Sequence, residues 1–453
     1  MAQVSALYQG IAQFAARIDG LDRLPSEVIS ISKEVMVNAA AVGLAGAAQA
    51  DGHTITRFAQ GMGGNGRCTI IGKGLRSSPV YASLANAVLI RLLDFDDEIV
   101  ANGSRPGSAV FPVVMALGEM LGLPGPKVLA AFAVGCEVTS TLRTLAKGNK
   151  CGDVFSNAGG AEATISPATL GATVAACMLL ELDEARTTQA LHLAGASGPP
   201  ALSLDGTGPV EAYSHGQAAM AGVMAALLTG QGLDALPSLP ASYSEHAESI
   251  ETLGLGSPFD ILSPGTALKL YPCASQSHTA IDASLQLVQQ YRFSADDISD
   301  VAVGITPQAL LHLPNPTPVN GWDARTCISF IVASTLATGH PLIDSFSGQA
   351  VSDPKVRSLM DRVTVQASEE AIGSIPYPSS VSITLRDGRQ IHHRAEFARG
   401  LAEIPLTTEE LDAKFLYCSR YILPPDHIEE AITRLRNLEN IDNTTGLFSV
   451  LGG

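Results

Sequence analysis

Two stretches of this chain, Ala172 to Leu182 and Ala218 to Leu228, are apolar on nearly every side at helical spacing. A helix without a polar face is stable only inside other helices, so the chain has to build a bundle large enough to enclose both. Its 453 residues suffice for two or three domains and exclude a minimal module held together by metal or disulfides. From the start to about residue 265 the sequence stays rich in Ala, Gly and Leu, and these small residues permit close helix–helix approach. The longest uncharged run, Ala212 to Leu233, contains Tyr213, Ser214, His215, Gln217, Thr229 and Gln231. It suits a core helix with polar ends and not a membrane span.

The texture changes after Ser263-Pro264-Gly265. Val301 to Ile305 and Val363 to Val365 are β-branched runs that predict short strands, with helical segments between them around Thr326 to Ala337. Val381, Ile383 and Leu385 alternate with polar residues, and Asp387-Gly388 then supplies a tight hairpin turn. Helix returns at the end: Thr407 with Glu410 fits a capping box, and Asp426 caps a segment with Ile428, Ile432 and Leu435 on one face. The expected fold is therefore mainly α. Residues 1–265 and 396–453 form a large helical domain, and 266–395 form a smaller inserted α+β domain.

Charge narrows the partners. Lys+Arg 28 against Asp+Glu 44 gives −16, which repels phosphate backbones and anionic lipid surfaces, so neither nucleic acid nor membrane is an expected partner. A locally basic pocket for a small anion is still compatible with this balance. The seven cysteines, at 68, 136, 151, 177, 273, 327 and 418, are scattered, form no CxxC pair and read as buried small hydrophobes in a reducing compartment. The first twenty residues lack a basic stretch followed by an apolar core, so a cytoplasmic protein is expected.

Several motifs could carry chemistry. Gly61, Gly63 and Gly66 spell GxGxxG, but a helical stretch precedes them and the strand-like Cys68 to Ile71 follows. This inverts the strand–turn–helix order a dinucleotide fingerprint needs, and a flexible turn is the simpler reading. Asp94-Phe95-Asp96-Asp97-Glu98 packs four carboxylates into five residues. On a helix Asp94 would share a face with Asp97 or Glu98 and could hold Mg²⁺. An isoprenoid synthase, which guards carbocations with aromatics, is disfavoured by a 5% aromatic content and one Trp. A solvated acidic helix end is the bland alternative. Lys269-Leu270-Tyr271-Pro272-Cys273-Ala274-Ser275-Gln276-Ser277-His278 lies where the fold changes, a place where ligand clefts form. Ile281, Leu285 and Val288 continue as one apolar face, which puts His278 in the first turn of a helix. The helix dipole there favours the neutral, proton-accepting imidazole. No GxSxG elbow is present, and His392-His393 on a strand point to opposite faces, a poor metal pair.

The order and spacing of LLDFDD, RPGSAVFPVVMALGE, SPATLGATVAACMLLELD and KLYPCASQSH-TAIDASL resemble the MmgE/PrpD family, over residues 25 to 450. The resemblance implies a helical domain from both chain ends, an α+β lid, a homodimer, and chemistry without metal or other cofactor at a carbon next to a carboxylate. Asp94 and His278 match the family's site pattern. Elsewhere the pattern departs. Arg105-Pro106-Gly107 stands where relatives carry His-Pro-Ser, Ser166-Pro167 where they carry His-Pro, Glu211 where they carry Lys, and Ser275 where Arg is frequent.

Losing two histidines removes proton shuttles, and losing Lys and Arg removes positive charge, while Arg105 adds a fork for a carboxylate. The expected substrate is a small organic acid with fewer carboxylates than citrate-like acids, bearing a neutral or cationic group opposite Glu211. In this reading His278, Asp94 and Glu211 are catalytic, and Arg105, Lys269, Ser166, Tyr271 and Ser275 bind substrate. Two alternatives are a non-catalytic ligand-binding member and a Mg²⁺-dependent lyase using Asp94 and Asp97.

Overall fold

A computed structural model describes residues 2–147, 166–197, 208–234, 253–313, 317–368 and 377–453; Cys151 lies outside them. The first half is helical: α1 Ala2–Arg17, α2 Ser26–Ala47, α3 Ala50–Met62, α4 Pro79–Arg91, α5 Pro106–Leu121, α6 Gly125–Lys147, α7 Pro167–Leu179, α8 Glu184–Ser197 and α9 Pro209–Gly230. Pro at the first helical position starts α4, α5, α7 and α9, where its missing N–H costs nothing. α7 lies against α5, α6 and α9, which encloses the first all-apolar stretch as its composition requires. α2 and α6 are long and apolar enough to cross a membrane by length and composition, yet 72% and 83% of their apolar windows are buried inside the bundle.

Small residues set the helix spacing. A Cβ on Gly46 of α2 would lie 2.0 Å from the Leu89 carbonyl oxygen of α4. Gly63 and Gly66 of the GxGxxG run do similar work. α3 precedes them and β1 (Cys68–Ile70) follows, the inverted order read from the sequence. They are not a loose turn, however: a Cβ on Gly63 or Gly66 would fall within 2 Å of Ser77, in β2 (Leu75–Ser77).

Two further strands matter for the site. β3 (Asp97–Glu98) pairs antiparallel with β4 (Ala267–Leu268), Asp97 opposite Leu268 and Glu98 opposite Ala267. This joins the acidic run to the segment that leads into Lys269, across about 170 residues of sequence. Beyond it come α10 (His278–Tyr291), β5 (Ile298–Ile305), α11 (Ile328–Thr338), β6 (Val363–Ala367), β7 (Ser379–Leu385) and β8 (Gln390–Ala395). The sheet runs β6-β5-β7-β8, parallel between β5 and β6 and antiparallel elsewhere. β7 buries Val381, Ile383 and Leu385 in strict alternation, and Gly388, at φ 86°, makes the hairpin turn. α12 (Thr408–Ser419) opens with the Thr407–Glu410 capping box. α13 (Pro425–Arg436) differs from the expected start: Pro424 is its N-cap, and Asp426 sits inside the first turn, where its charge still meets the helix dipole favourably.

One apolar core runs from Leu7 to Leu268 and resumes from Leu411 to Leu451; the other runs from Ala267 to Leu401 and includes Val100. We propose that the domains divide where these cores do. Ala398 and Leu401, which belong to the second core, then carry the inserted unit a few residues beyond 395.

The glycine packing predicts opposite outcomes for two alanine substitutions. Gly46→Ala meets backbone it cannot displace and should cost about 1–3 kcal/mol. Gly61→Ala, on an exposed face of α3 with open space around it, should stabilise by about 0.4–1 kcal/mol. Urea denaturation followed by circular dichroism separates the two.

Candidate active site

The acidic run is not a helix. α4 ends at Arg91, Asp94 adopts a left-handed conformation (φ 51°), and Asp97–Glu98 are extended in β3. The shared helical face expected for Asp94 with Asp97 or Glu98 therefore does not exist. The carboxylates turn inward instead: Asp94, Asp96, Asp97 and Glu98 are all buried.

Cations meet them there. Lys269 Nζ donates to Asp94 Oδ1 at 2.6 Å and to the Cys273 carbonyl at 3.2 Å, and lies 3.5 Å from Glu98 Oε2. Arg91, at the last position of α4, pairs with Asp94 (3.0 Å), Asp96 (3.4 Å) and Glu211 Oε1 of α9 (2.7 Å). Arg105, the N-cap of α5, pairs with Glu98 (3.1 Å) and Asp94 (3.3 Å) and approaches Glu211 at 3.7 Å. Ser275 Oγ donates to Glu98. Among the described residues no group of three His, Cys, Asp or Glu side chains is arranged to hold a metal ion.

Protonation follows from this wiring. Burial opposes ionisation of Asp94, but Lys269, Arg91 and Arg105 outweigh it and hold its carboxyl well below the usual range. Glu98 is likewise buried, and Arg105 and Lys269 bring it down to about 2. Asp97 goes the other way. Burial, reinforced by the neighbouring Asp96, pushes it up to about 7, even though its Oδ2 accepts the Gly107 N–H at 3.0 Å. Gly107 is required here: a Cβ would lie 2.1 Å from Asp97 Oδ1, so a serine at this position would collide with the carboxylate.

His278 begins α10 and is buried. Burial, aided by Lys269, pulls its imidazole down to about 3. Its Nε2 lies 3.2 Å from the Cys273 carbonyl, which can only accept, so Nε2 carries the hydrogen and Nδ1 the lone pair. The Tyr271 ring stands edge-on to it at 5.2 Å, with its hydroxyl donating to Asp282. Lys269, Ser275 and His278 line a narrow cleft with Thr279, Tyr377 and Arg399.

Of the residues singled out from the sequence, Asp94, Arg105, Glu211, Lys269 and Ser275 join one network, with His278 and Tyr271 beside it. Ser166 is the N-cap of α7, and among the described residues no hydrogen bond or ion pair ties its side chain to the cluster. The cation nearest Glu211 is Arg91, with Arg105 next to it. Arg91 escaped sequence reading, although its i, i+3 spacing to Asp94 is a helical ion-pair signal. So did Lys414 of α12, whose buried Nζ donates to Asn38 Oδ1 (2.7 Å) and to the Phe95 (2.9 Å) and Lys269 (2.6 Å) carbonyls.

The MmgE/PrpD N-terminal domain matches residues 9–243 and the MmgE/PrpD C-terminal domain residues 271–440. Among curated proteins the chain is similar to a cis-aconitate decarboxylase of Mus musculus, 28% identical over 97% of this chain and 93% of the relative. The Homo sapiens cis-aconitate decarboxylase is 27% identical over 97% and 94%. One from Aspergillus terreus is 24% identical over 95% and 93%.

The raised Asp97 pKa makes a signed prediction. The unfolded carboxyl titrates near about 3.9 and the folded one at about 7. Between these values the folded state binds more protons, so this group's contribution to stability falls as pH rises, down to its low plateau above pH 7. Asp97→Asn cannot ionise. Its urea midpoint should therefore gain on that of the wild type as pH goes from 5 to 8, and parallel profiles would refute the assignment.

Proposed function

The chain belongs to the MmgE/PrpD family, and from that premise we propose that it is a lyase or isomerase acting by proton transfer at a carbon α to a carboxylate of a small organic acid. The chemistry is proposed to need no cofactor, in a cytoplasmic homodimer. His278 is the proton-transfer group, presenting Nδ1 as a neutral base, and Asp94 orients Lys269 beside it. Lys269 and Arg105 stabilise the negative charge that develops on the carboxylate when the α-proton leaves.

One observation carries the reading: Lys269, Ser275 and His278 line the same cleft, and Lys269 is bonded to the ionised Asp94. The same wiring supports a restricted substrate. Arg91, Arg105 and Lys269 are each paired with internal carboxylates, so little positive charge is left over for a tricarboxylate. Arg105 and Glu211 keep 14% and 19% of their side chains exposed, against 1–2% for Lys269 and Arg91. A substrate carboxylate therefore meets Arg105. Glu211, already opposite Arg91 and Arg105, is assigned to holding them, which revises its expected role as a second base.

The test is hydrogen–deuterium exchange by NMR in D₂O with a panel of small mono-, di- and tricarboxylic acids, cis-aconitate included. The expected result is exchange α to a carboxylate in an acid poorer in carboxylates than cis-aconitate, unaffected by EDTA and about 10²–10⁴-fold slower in His278→Asn. Rapid decarboxylation of cis-aconitate would overturn the restricted substrate. Loss with EDTA would favour Mg²⁺ chemistry. No exchange with any acid would favour a ligand-binding protein.

A further inference from the structure

Two histidines expected from the family pattern are replaced by Arg105 and Ser166, yet the helical side of the site has an imidazole of its own. α9 places His215 one turn after Glu211, so both lie on the helix face that meets Arg91 and Arg105. α5 places Ser108 one turn after Arg105. Ser108 Oγ and His215 Nδ1 are 2.7 Å apart, and Ser108 Oγ is 2.9 Å from the Arg105 carbonyl.

These two distances point to one tautomer. The Ser108 hydroxyl has one hydrogen; given to the Arg105 carbonyl, which only accepts, it leaves Ser108 to accept from the imidazole. Nδ1 of His215 therefore carries the hydrogen, and Nε2 holds the lone pair with no hydrogen-bond partner among the described residues. The groups around the ring keep it neutral. Burial, then the guanidiniums of Arg91, Arg105 and Arg143, push it well below the usual imidazole range. The Glu211 carboxylate on the same face is itself held by Arg91.

We propose that His215, oriented by Ser108, is a second catalytic proton-transfer group of this site and supplies the function of the replaced histidines. The proposal rests on the reading in the preceding subsection. The step breaks the C–H bond α to the substrate carboxylate: the proton forms an N–H bond at Nε2, and the electron pair stays with the carbon and delocalises into the carboxylate. An imidazole so depressed is a weak base but releases its proton readily, either back to the same carbon or to a leaving group. His278, with its lone pair on Nδ1 beside Lys269, serves the other side of the site.

His215→Asn keeps an N–H that can reach Ser108 and lacks the Nε2 base. In the D₂O assay on whichever acid the wild type exchanges, it should be slower by about 10²–10⁴-fold. Ser108→Ala, which loses one orienting hydrogen bond, should be slower by about 3–10-fold. Both should keep the wild-type circular dichroism. Exchange in His215→Asn at the wild-type rate overturns this proposal and leaves the reading of the site intact, whereas a wild type that exchanges nothing overturns both. A second measurement needs neither substrate nor turnover. Long-range ¹⁵N–¹H NMR of histidine-labelled wild type, assigned by the signal missing in His215→Asn or His215→Gln, should show a neutral Nδ1–H imidazole at pH 6.5. An Nε2–H tautomer or an imidazolium there refutes the assignment.

Discussion

The structure depends on one buried pairing, the ammonium of Lys269 against the carboxylate of Asp94 at 2.6 Å. Desolvating a single ion at that depth costs several kcal/mol, a large part of a domain's net stability. Each offsets that cost for the other, and the same logic extends outward. Arg91 and Arg105 hold Asp94 and Asp96 and reach Glu211, and Glu98 takes Arg105, Lys269 and Ser275. Removing one charged member unbalances the buried charge of the others, so the cluster is rigid for the same reason that it is costly.

Rigidity of that kind needs a frame drawn from distant parts of the chain. The two-residue pairing of β3 with β4 sets the acidic run against the approach to Lys269. Lys414, arriving from α12, then locks both by bonding the backbone at Phe95 and Lys269 and the side chain of Asn38. The C-terminal helices therefore do more than close the bundle: one of them carries the bolt between the acidic run and the Lys269 segment. What this frame leaves open is the narrow cleft beside His278 and the partly exposed ends of Arg105 and Glu211.

Much of the fold was legible residue by residue. All-apolar helices demanded a bundle, alternation at Val381, Ile383 and Leu385 marked a strand with one buried face, and Thr407 with Glu410 marked a helix start. These signals are local, because the period of exposure along an element is written in that element. The acidic run misled for the converse reason. Four carboxylates in five residues look like a solvated helix end or a metal site, and it is their pairing with Arg91, Arg105 and the distant Lys269 that makes them a buried network. Asp426 was misplaced by two residues because Pro424 already provides a helix entry.

What the sequence determined by itself was the mainly α architecture, the family resemblance and the segments from which a site is built, since periodicity and short motifs survive without knowledge of contacts. The tertiary structure decided which charges meet. It set Glu211 against Arg91, explained Gly107 through the carboxylate of Asp97, and put His215 within hydrogen-bond reach of Ser108. The protonation state of a buried group depends on neighbours within a few ångströms, and some of these, Lys269 beside Asp94 and Ser108 beside His215, lie more than a hundred residues away in the chain.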